Sequence, residues 1–208
     1  MARFVDIHPV DPQPRLIAQV GQVLREGGVI AYPTDSGYAL GALMDNPDAK
    51  ERMRAIRRLD DRHHYTLVVK DFAQLGQLVQ VNNAVFRAVK ASTPGPYTFI
   101  LPATSEVPRR LLHPKKRTVG VRMPDSAVVR ALVEEVGEPL LSTTLILPED
   151  AEPMTQGWVV KEELDHQVDL VIEAGEVPGD PTTVIDWTGD EPVIARLGAG
   201  DPARFQPS

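Results

Sequence analysis

The sequence predicts a single α/β domain built on a twisted, open sheet of mixed parallel and antiparallel strands, flanked by helices. Three observations predict it. Short apolar runs alternate along the chain with segments of helical period. The segment Asp186-Trp187-Thr188-Gly189-Asp190-Glu191 lies between two apolar runs and reads as an antiparallel hairpin, so the sheet is not purely parallel. At 208 residues the chain is long enough to bury one full core, and no repeat or low-complexity stretch divides it. Residues 1–201 are assigned to the domain and 202–208 to a frayed tail.

The elements follow in order. Leu16, Ile17, Val20, Val23 and Leu24 fall at helical spacing, and Gly27-Gly28 stops that helix. Val29 to Tyr32 is a strand that ends at Pro33, because proline cannot donate to a ladder. Asn46-Pro47 reads as a helix cap followed by proline at the first helical position, with Met53, Ile56 and Leu59 as the apolar stripe. Thr66 to Lys70 is a short strand, and Val85, Phe86 and Val89 mark a helix. Tyr97 to Leu101 and Thr118 to Met123 are strands. Asp125 is expected to cap a helix carrying Val128, Val129, Leu132, Val133 and Val136, which Gly137 terminates. Strands near Leu140–Thr143, Val168–Ile172, Thr182–Trp187 and Val193–Leu197 complete the set. Pro148 to Gly157, rich in Glu, Asp, Pro and Gly, reads as a flap over a site rather than a domain boundary.

Composition narrows the chemistry. There is no cysteine, which excludes disulfides, thiolate metal sites and a cysteine nucleophile. No membrane-length apolar stretch or leader-like h-region is visible, so a cytoplasmic protein is expected. The net charge of −7 argues against nucleic-acid binding over the whole surface. Yet residues 109–122 hold Arg109, Arg110, Lys115, Lys116, Arg117 and Arg122 with no acid, which points to an anionic partner. Lys50 and Arg54 read as the solvated side of a helix.

Tyr32-Pro33-Thr34-Asp35-Ser36-Gly37-Tyr38-Ala39-Leu40-Gly41 is the richest stretch. Polar residues at a strand end are where open α/β sheets hold ligands, but Asp and Ser also cap their own turns, and residue types alone leave both readings open. No phosphate-binding glycine loop, dinucleotide fingerprint or GxSxG elbow is present. His63 and His64 are adjacent, so a strand would point them to opposite faces, and they read as surface or loop residues with no metal spacing. What remains is a site of hydroxyls and cations, suited to holding phosphates and carboxylates in place for reaction. Arg122, alone in an apolar strand, reads either as outward-pointing or as a carboxylate-binding fork whose head group lies in a cleft and adds little to the core.

The ordered segments Pro33–Gly41 (PTDSGYALG), Pro94–Leu101 (PGPYTFIL), Val119–Pro124 (VGVRMP) and Ser142-Thr143-Thr144 resemble the YrdC/YciO family. Its better-known members are threonylcarbamoyl-adenylate synthases with PTETVYGLG-like, PGP(x)TF, VR(M/V)P and STSANL segments. PTDSGYALG, PGPYTFIL and EVPRRLL (Glu106–Leu112) are closest to the YciO branch. The resemblance runs from about Gly27 to Leu197 and implies a YrdC-like domain with a basic concave face. It places Ser36, Arg122 and Thr182 against the threonine substrate. Thr34, Thr118, Ser142, Thr144 and Arg196 fall with the nucleotide. Two positions depart from the pattern. The family's KxR, which holds phosphates, falls around Arg57–Arg62 without a lysine or the two-residue spacing; Arg57, Arg58 or Arg62 is left to compensate from a shifted position, with Arg58 and Arg62 as the nucleotide contacts. The asparagine of SxN falls on Ile146.

The activity so implied is condensation of L-threonine, bicarbonate and ATP into threonylcarbamoyl-AMP and pyrophosphate, with Mg²⁺ entering bound to ATP and no resident prosthetic group or metal. The product serves tRNA modification. The alternative is a double-stranded RNA- or tRNA-binding protein of the same family, using Arg109, Arg110, Lys115, Lys116 and Arg117 and lacking efficient synthase activity. A third reading is carbamoyl or adenylate transfer to a different amine.

Overall fold

The computed structural model describes residues 1–60 and 63–206. In chain order the elements are β1 (Arg3–Asp6), α1 (Pro14–Arg25), β2 (Ile30–Thr34), β3 (Gly37–Leu43), α2 (Ala49–Arg57), β4 (Thr66–Val68), α3 (Phe72–Leu78), α4 (Asn83–Ser92), β5 (Tyr97–Pro102), β6 (Thr118–Arg122), α5 (Ala127–Val136), β7 (Leu140–Thr144), α6 (Gly157–Leu164), β8 (Leu170–Glu173), β9 (Thr183–Asp186) and β10 (Val193–Arg196). The ten strands form one sheet in the order β1-β8-β2-β3-β7-β4-β6-β5-β9-β10. β1 and β2 run parallel to β8, as do β4 to β6 and β5 to β9, and the other pairs are antiparallel. The mixed open sheet is therefore as the sequence predicts. Among the described residues no helix is long and apolar enough to cross a membrane.

Strand alternation sends side chains to two cores. Ala31, Leu40, Leu67, Phe99, Leu101, Val119, Val121 and Leu141 pack with α2, α3, α4 and α6 on one face. Ile30, Tyr32, Ala39, Val68, Leu140 and Leu170 pack with α1 and α5 on the other. The second layer is narrower than the sheet. It covers β8, β2 and β3 and stops at Val68 and Leu140, so Thr98, Ile100, Gly120 and Val184 beyond it have no helix above them. That uncovered half-face is where a ligand can enter.

Several elements differ from expectation. β3 was not foreseen, because GYALGAL is buried on both faces and so shows no alternation. β1, α3 and α6 are short and lack a strong period. α2 starts after Asp48, not Asn46; the Asn46 carboxamide instead accepts from the Asp48 N–H (3.0 Å) and donates to the Gly27 carbonyl (2.8 Å). The cap of α5 is Ser126, which accepts from the Val129 N–H at 3.3 Å, rather than Asp125. The stretch before α6 is tied down, with Tyr38 N–H donating to the Met154 carbonyl (2.8 Å) and Met154 N–H to that of Leu145 (3.0 Å). Residues 202–206, expected as a frayed tail, are docked: Phe205 is buried against Tyr97, Phe99 and Trp187. Pro207 and Ser208 lie outside the described residues.

Gly41 shows how the geometry of one strand supports its neighbours. The fully buried Tyr32 ring on β2 lies across Gly41 on β3 and reaches Ser142 on β7, with Oη and Oγ 2.6 Å apart. Ser142 gives its own proton to the Leu40 carbonyl (3.1 Å), so the phenol donates to the serine. A Cβ at residue 41 would stand 2.6 Å from Tyr32 Cε1. Gly41→Ala is expected to lower stability by about 1–3 kcal/mol through overpacking, read as a fall in urea midpoint at unchanged slope.

Candidate functional site

Thr34 and Gly37 are paired in register, so the chain reverses over Asp35 and Ser36 alone. Gly37 has φ +88°, and a Cβ there would meet Pro153 at 2.4 Å, so this position requires glycine. Thr34 Oγ1 donates to the Gly37 carbonyl (2.7 Å) and accepts from the Ser36 N–H (3.0 Å). The turn therefore caps itself, but through Thr34 and not through the Asp and Ser that the capping reading named. Ser36 is buried, with Oγ 3.4 Å from Thr34 Oγ1.

Asp35 has the longer reach. One carboxylate oxygen takes a short hydrogen bond from Arg122 Nη2, and the other accepts from the Asp125 N–H at 2.8 Å. A single side chain thus joins the β2–β3 turn, the end of β6 and the approach to α5. Arg122 is 5 % exposed, and its Nε is buried without a hydrogen-bond partner. The sequence reading of Arg122 as a cleft-exposed fork that adds little to stability is corrected here: it is a buried ion-pair partner. Burial lowers its pKa, and Asp35 opposes that shift.

Next to this pair, a cavity of about 360 Å³ opens on the uncovered half-face. Its lining includes Arg57, His63, His64, Thr143, Thr182 and Arg196, and among the described residues no carboxylate. Gly120 keeps the floor flat: a Cβ there would stand 3.1 Å from Thr66 Oγ1 and 3.3 Å from Thr98 Cγ2. Thr182 meets Thr98 hydroxyl to hydroxyl at 2.9 Å. Arg196 holds Thr182 through Nε (3.1 Å) and Nη2 (2.9 Å) to its carbonyl and through Nη2 to its hydroxyl (3.0 Å). On the opposite wall Arg57 donates through Nε to the Ile146 carbonyl (3.1 Å) and through Nη1 to Thr143 Oγ1 (2.6 Å), and His63 Nε2 lies 2.9 Å from that same hydroxyl. A larger recess, about 510 Å³, sits at the other end of the sheet around Met1, Arg3 and Arg52, away from every motif residue.

The structure brings together some predicted residues and separates others. Thr144, Thr182 and Arg196 line the cavity. Thr118 is on the same strand face as Gly120 and Arg122, and its buried hydroxyl has no partner. Ser142 is engaged by Tyr32 and Leu40 and does not line the cavity. Arg58 takes a left-handed conformation (φ 51°), is exposed and pairs with Glu149 at 3.5 Å, so Arg57 rather than Arg58 faces the cleft. Arg62 lies outside the described residues. The basic segment is divided. Arg110 donates to the Met44 carbonyl (2.9 Å), and Lys116 pairs with Asp186 at 3.7 Å, while Arg109, Lys115 and Arg117 are exposed. The cations facing the cavity come from α2 and β10, not from that segment. His63 and His64 lie in the loop before β4, as one of their sequence readings holds, but they are not idle surface groups: both line the cavity.

Electrostatics tune these groups. Burial, then Arg57 and His64, push His63 down to about 4, with Asp60 opposing. His64, stacked on His113 with centroids 4.8 Å apart, is lowered by burial and by that neighbour. Arg196 is lowered by burial and by repulsion from Arg122, a repulsion that a bound anion relieves.

Two outcomes are expected. Asp35→Ala leaves Arg122 buried and unpaired and should cost about 3–5 kcal/mol in chemical denaturation, while the double change Asp35→Leu with Arg122→Met recovers most of it. His63 is neutral when folded below the pH at which the unfolded chain takes up a proton. Its contribution is therefore complete above about pH 6.5 and is lost as pH falls to about 4, with a size of about 2–3 kcal/mol. Urea midpoints measured from pH 7 to pH 4 should show this slope, and His63→Gln should flatten it.

Comparison with known proteins agrees with this architecture. Residues 22–198 match the model of the Sua5/YciO/YrdC family, described under telomere recombination. The YciO protein of Escherichia coli K12 is 48 % identical over 205 residues, covering 99 % of this chain and 100 % of that one. Its crystal structure superposes with a TM-score of 0.96. A threonylcarbamoyl-AMP synthase of Vibrio vulnificus is 33 % identical over 165 residues, covering 77 % of this chain and 88 % of the other. The P. abyssi Sua5 structure in complex with L-threonine matches at 26 % identity and a TM-score of 0.86, over 94 % of this chain and 57 % of that one. The fold, the motif order and these relatives agree, and the chain belongs to the Sua5/YciO/YrdC family.

Proposed function

We propose that this protein is an ATP-dependent L-threonylcarbamoyl-AMP synthase serving tRNA threonylcarbamoyladenosine modification. The observation that carries the reading is the cleft itself: Arg57 and Arg196 face each other across threonine hydroxyls, Arg122 lies farther along the floor strand, and among the described residues no carboxylate enters the lining. Such a lining suits two anionic reactants and disfavours a cationic one. The Vibrio relative's name and the threonine bound to P. abyssi Sua5 support the choice of amino acid.

The proposed chemistry runs in two steps, which the family resemblance implies and that lining suits. The threonine amine adds to bicarbonate with loss of water, giving an N-carboxylate. A carbamate oxygen then attacks the α-phosphorus of ATP, forming the mixed anhydride and releasing pyrophosphate. Both reactants of the second step are anions, so fixed cations must offset their repulsion, and Mg²⁺ bound to ATP spreads the remaining phosphate charge. Arg196 and Arg57 are assigned to nucleotide oxygens. Thr182, held by Arg196, positions the amino acid with Ser36.

Purified protein given ATP-Mg²⁺, L-threonine and labelled bicarbonate should release pyrophosphate and labelled adenylate. Turnover no greater than that of a heat-killed control overturns the reading. Arg196→Ala should lower ATP affinity about ten- to hundredfold, the loss of a charge-assisted contact, and should also cost about 1–3 kcal/mol of stability by freeing the buried Thr182 carbonyl and hydroxyl, so affinity is read at a temperature where the variant is folded. The RNA-binding alternative rests on exposed Arg109, Lys115 and Arg117. It requires steeply salt-dependent binding of a short RNA duplex that disappears when those three residues are neutralised.

A further inference from the structure

The chain Arg57–Thr143–His63 has a consequence beyond holding the cleft wall. Arg57 is a donor at every relevant pH, so Thr143 Oγ1 must accept from Nη1. The hydroxyl's single proton is then available to the nearby His63 Nε2. With Nε2 accepting, the neutral imidazole carries its proton on Nδ1. We propose that His63 contacts the ligand and that Thr143 is its positioning residue: the relay fixes the Nδ1–H tautomer, so that His63 donates to an anionic oxygen of the nucleotide in the cleft. Among the described residues, the groups facing this ring are Arg57 from α2, Tyr65 edge-on at 5.2 Å, Thr143 from β7, and Asp60 and His64 from its own loop.

The balance of these groups keeps the ring neutral through the physiological range, with burial and the two nitrogenous neighbours outweighing Asp60. A fixed neutral donor beside an arginine adds a directed hydrogen bond without adding a further charge to a cleft where Arg57, Arg122 and Arg196 already accumulate. Position matters too. Ile146, where the family has an asparagine, lends only its carbonyl, to Arg57 Nε. His63 stands on the same wall and supplies the N–H that an isoleucine side chain cannot.

This proposal rests on the nucleotide reading, and its test separates the two. In ¹⁵N spectra of the whole protein, His63 should show the Nδ1–H tautomer from pH 5.5 to 8. Thr143→Val should shift it toward a mixture, and Thr143→Ser should restore it. An asparagine amide can occupy the place of Nδ1, whereas a glutamine amide reaches the place of Nε2. His63→Asn should therefore hold ATP within about twofold of wild type, and His63→Gln should lose about tenfold. The Nε2–H tautomer in the wild type, or equal ATP affinity of the Asn and Gln variants, overturns the proposal while leaving the nucleotide reading in place. Absence of ATP binding by the wild type overturns both.

Discussion

The rest of the site depends on the Asp35–Arg122 pair. A charge taken out of water persists only when it is paired and hydrogen-bonded, and here one carboxylate meets that demand on both oxygens. Because its two partners lie on β6 and at the approach to α5, the β2–β3 turn cannot shift without breaking a buried contact. The turn in turn carries Ser36. Rigidity at this point comes from electrostatic necessity and not from the turn's own hydrogen bonds, which are local. The same pairing leaves Arg122 Nε without a partner beside a cleft that also holds Arg196. The free protein therefore contains unbalanced positive potential where the proposed reaction brings anions together.

The cleft exists because the two helical layers are unequal. On one face, four helices cover the strands across both halves of the sheet. On the other, α1 and α5 lie side by side and cover only one half. Strand alternation places Thr66, Thr98, Gly120 and Val184 on the bare half, so small and hydroxylated residues there are what the pleat leaves facing solvent. A glycine at 120 and threonines around it keep that floor low, while the walls are raised by side chains from a helix end and an edge strand.

How much of this could be read from the sequence follows from the range of each signal. Strands and helices with clear periods were legible: α1, α5 with Gly137 at its end, and the β9–β10 hairpin all lie where pattern places them. β3 was not, since burial on both faces removes the alternation that identifies a strand. Motif order identified the family, but motif membership did not identify the exposed atoms. Ser142 belongs to a family motif and is nonetheless consumed by Tyr32 and Leu40. Arg57 and Arg58 differ by one position, and the choice between them is made by α2 ending at Arg57 and the next residue adopting φ 51°, which turns Arg58 toward Glu149. No sequence period encodes where a helix frays. The tail was misjudged for a related reason: Phe205 is a lone aromatic among prolines, and its burial depends on a three-ring surface assembled from strands far away in sequence.

The departures from the family pattern take on a different meaning once placed in space. Ile146 removes an amide from the cleft wall, and the lysine of the phosphate-holding motif is missing from the α2 end. Considered singly, each is a lost contact. In three dimensions they meet at one group, because Arg57 donates to the Ile146 main chain with one nitrogen and to Thr143 with another. The main-chain acceptor is present whatever side chain occupies residue 146, so this anchor survives the substitution. It holds the guanidinium against the wall rather than in solvent, and an arginine immobilised before the ligand arrives loses less entropy on contact than a free lysine would. Where the resemblance leads one to expect an ammonium and an amide, this wall carries a pre-set guanidinium, a threonine and an imidazole. What such an exchange favours is a ligand whose oxygens occupy fixed positions, which is a stronger demand on shape than on charge.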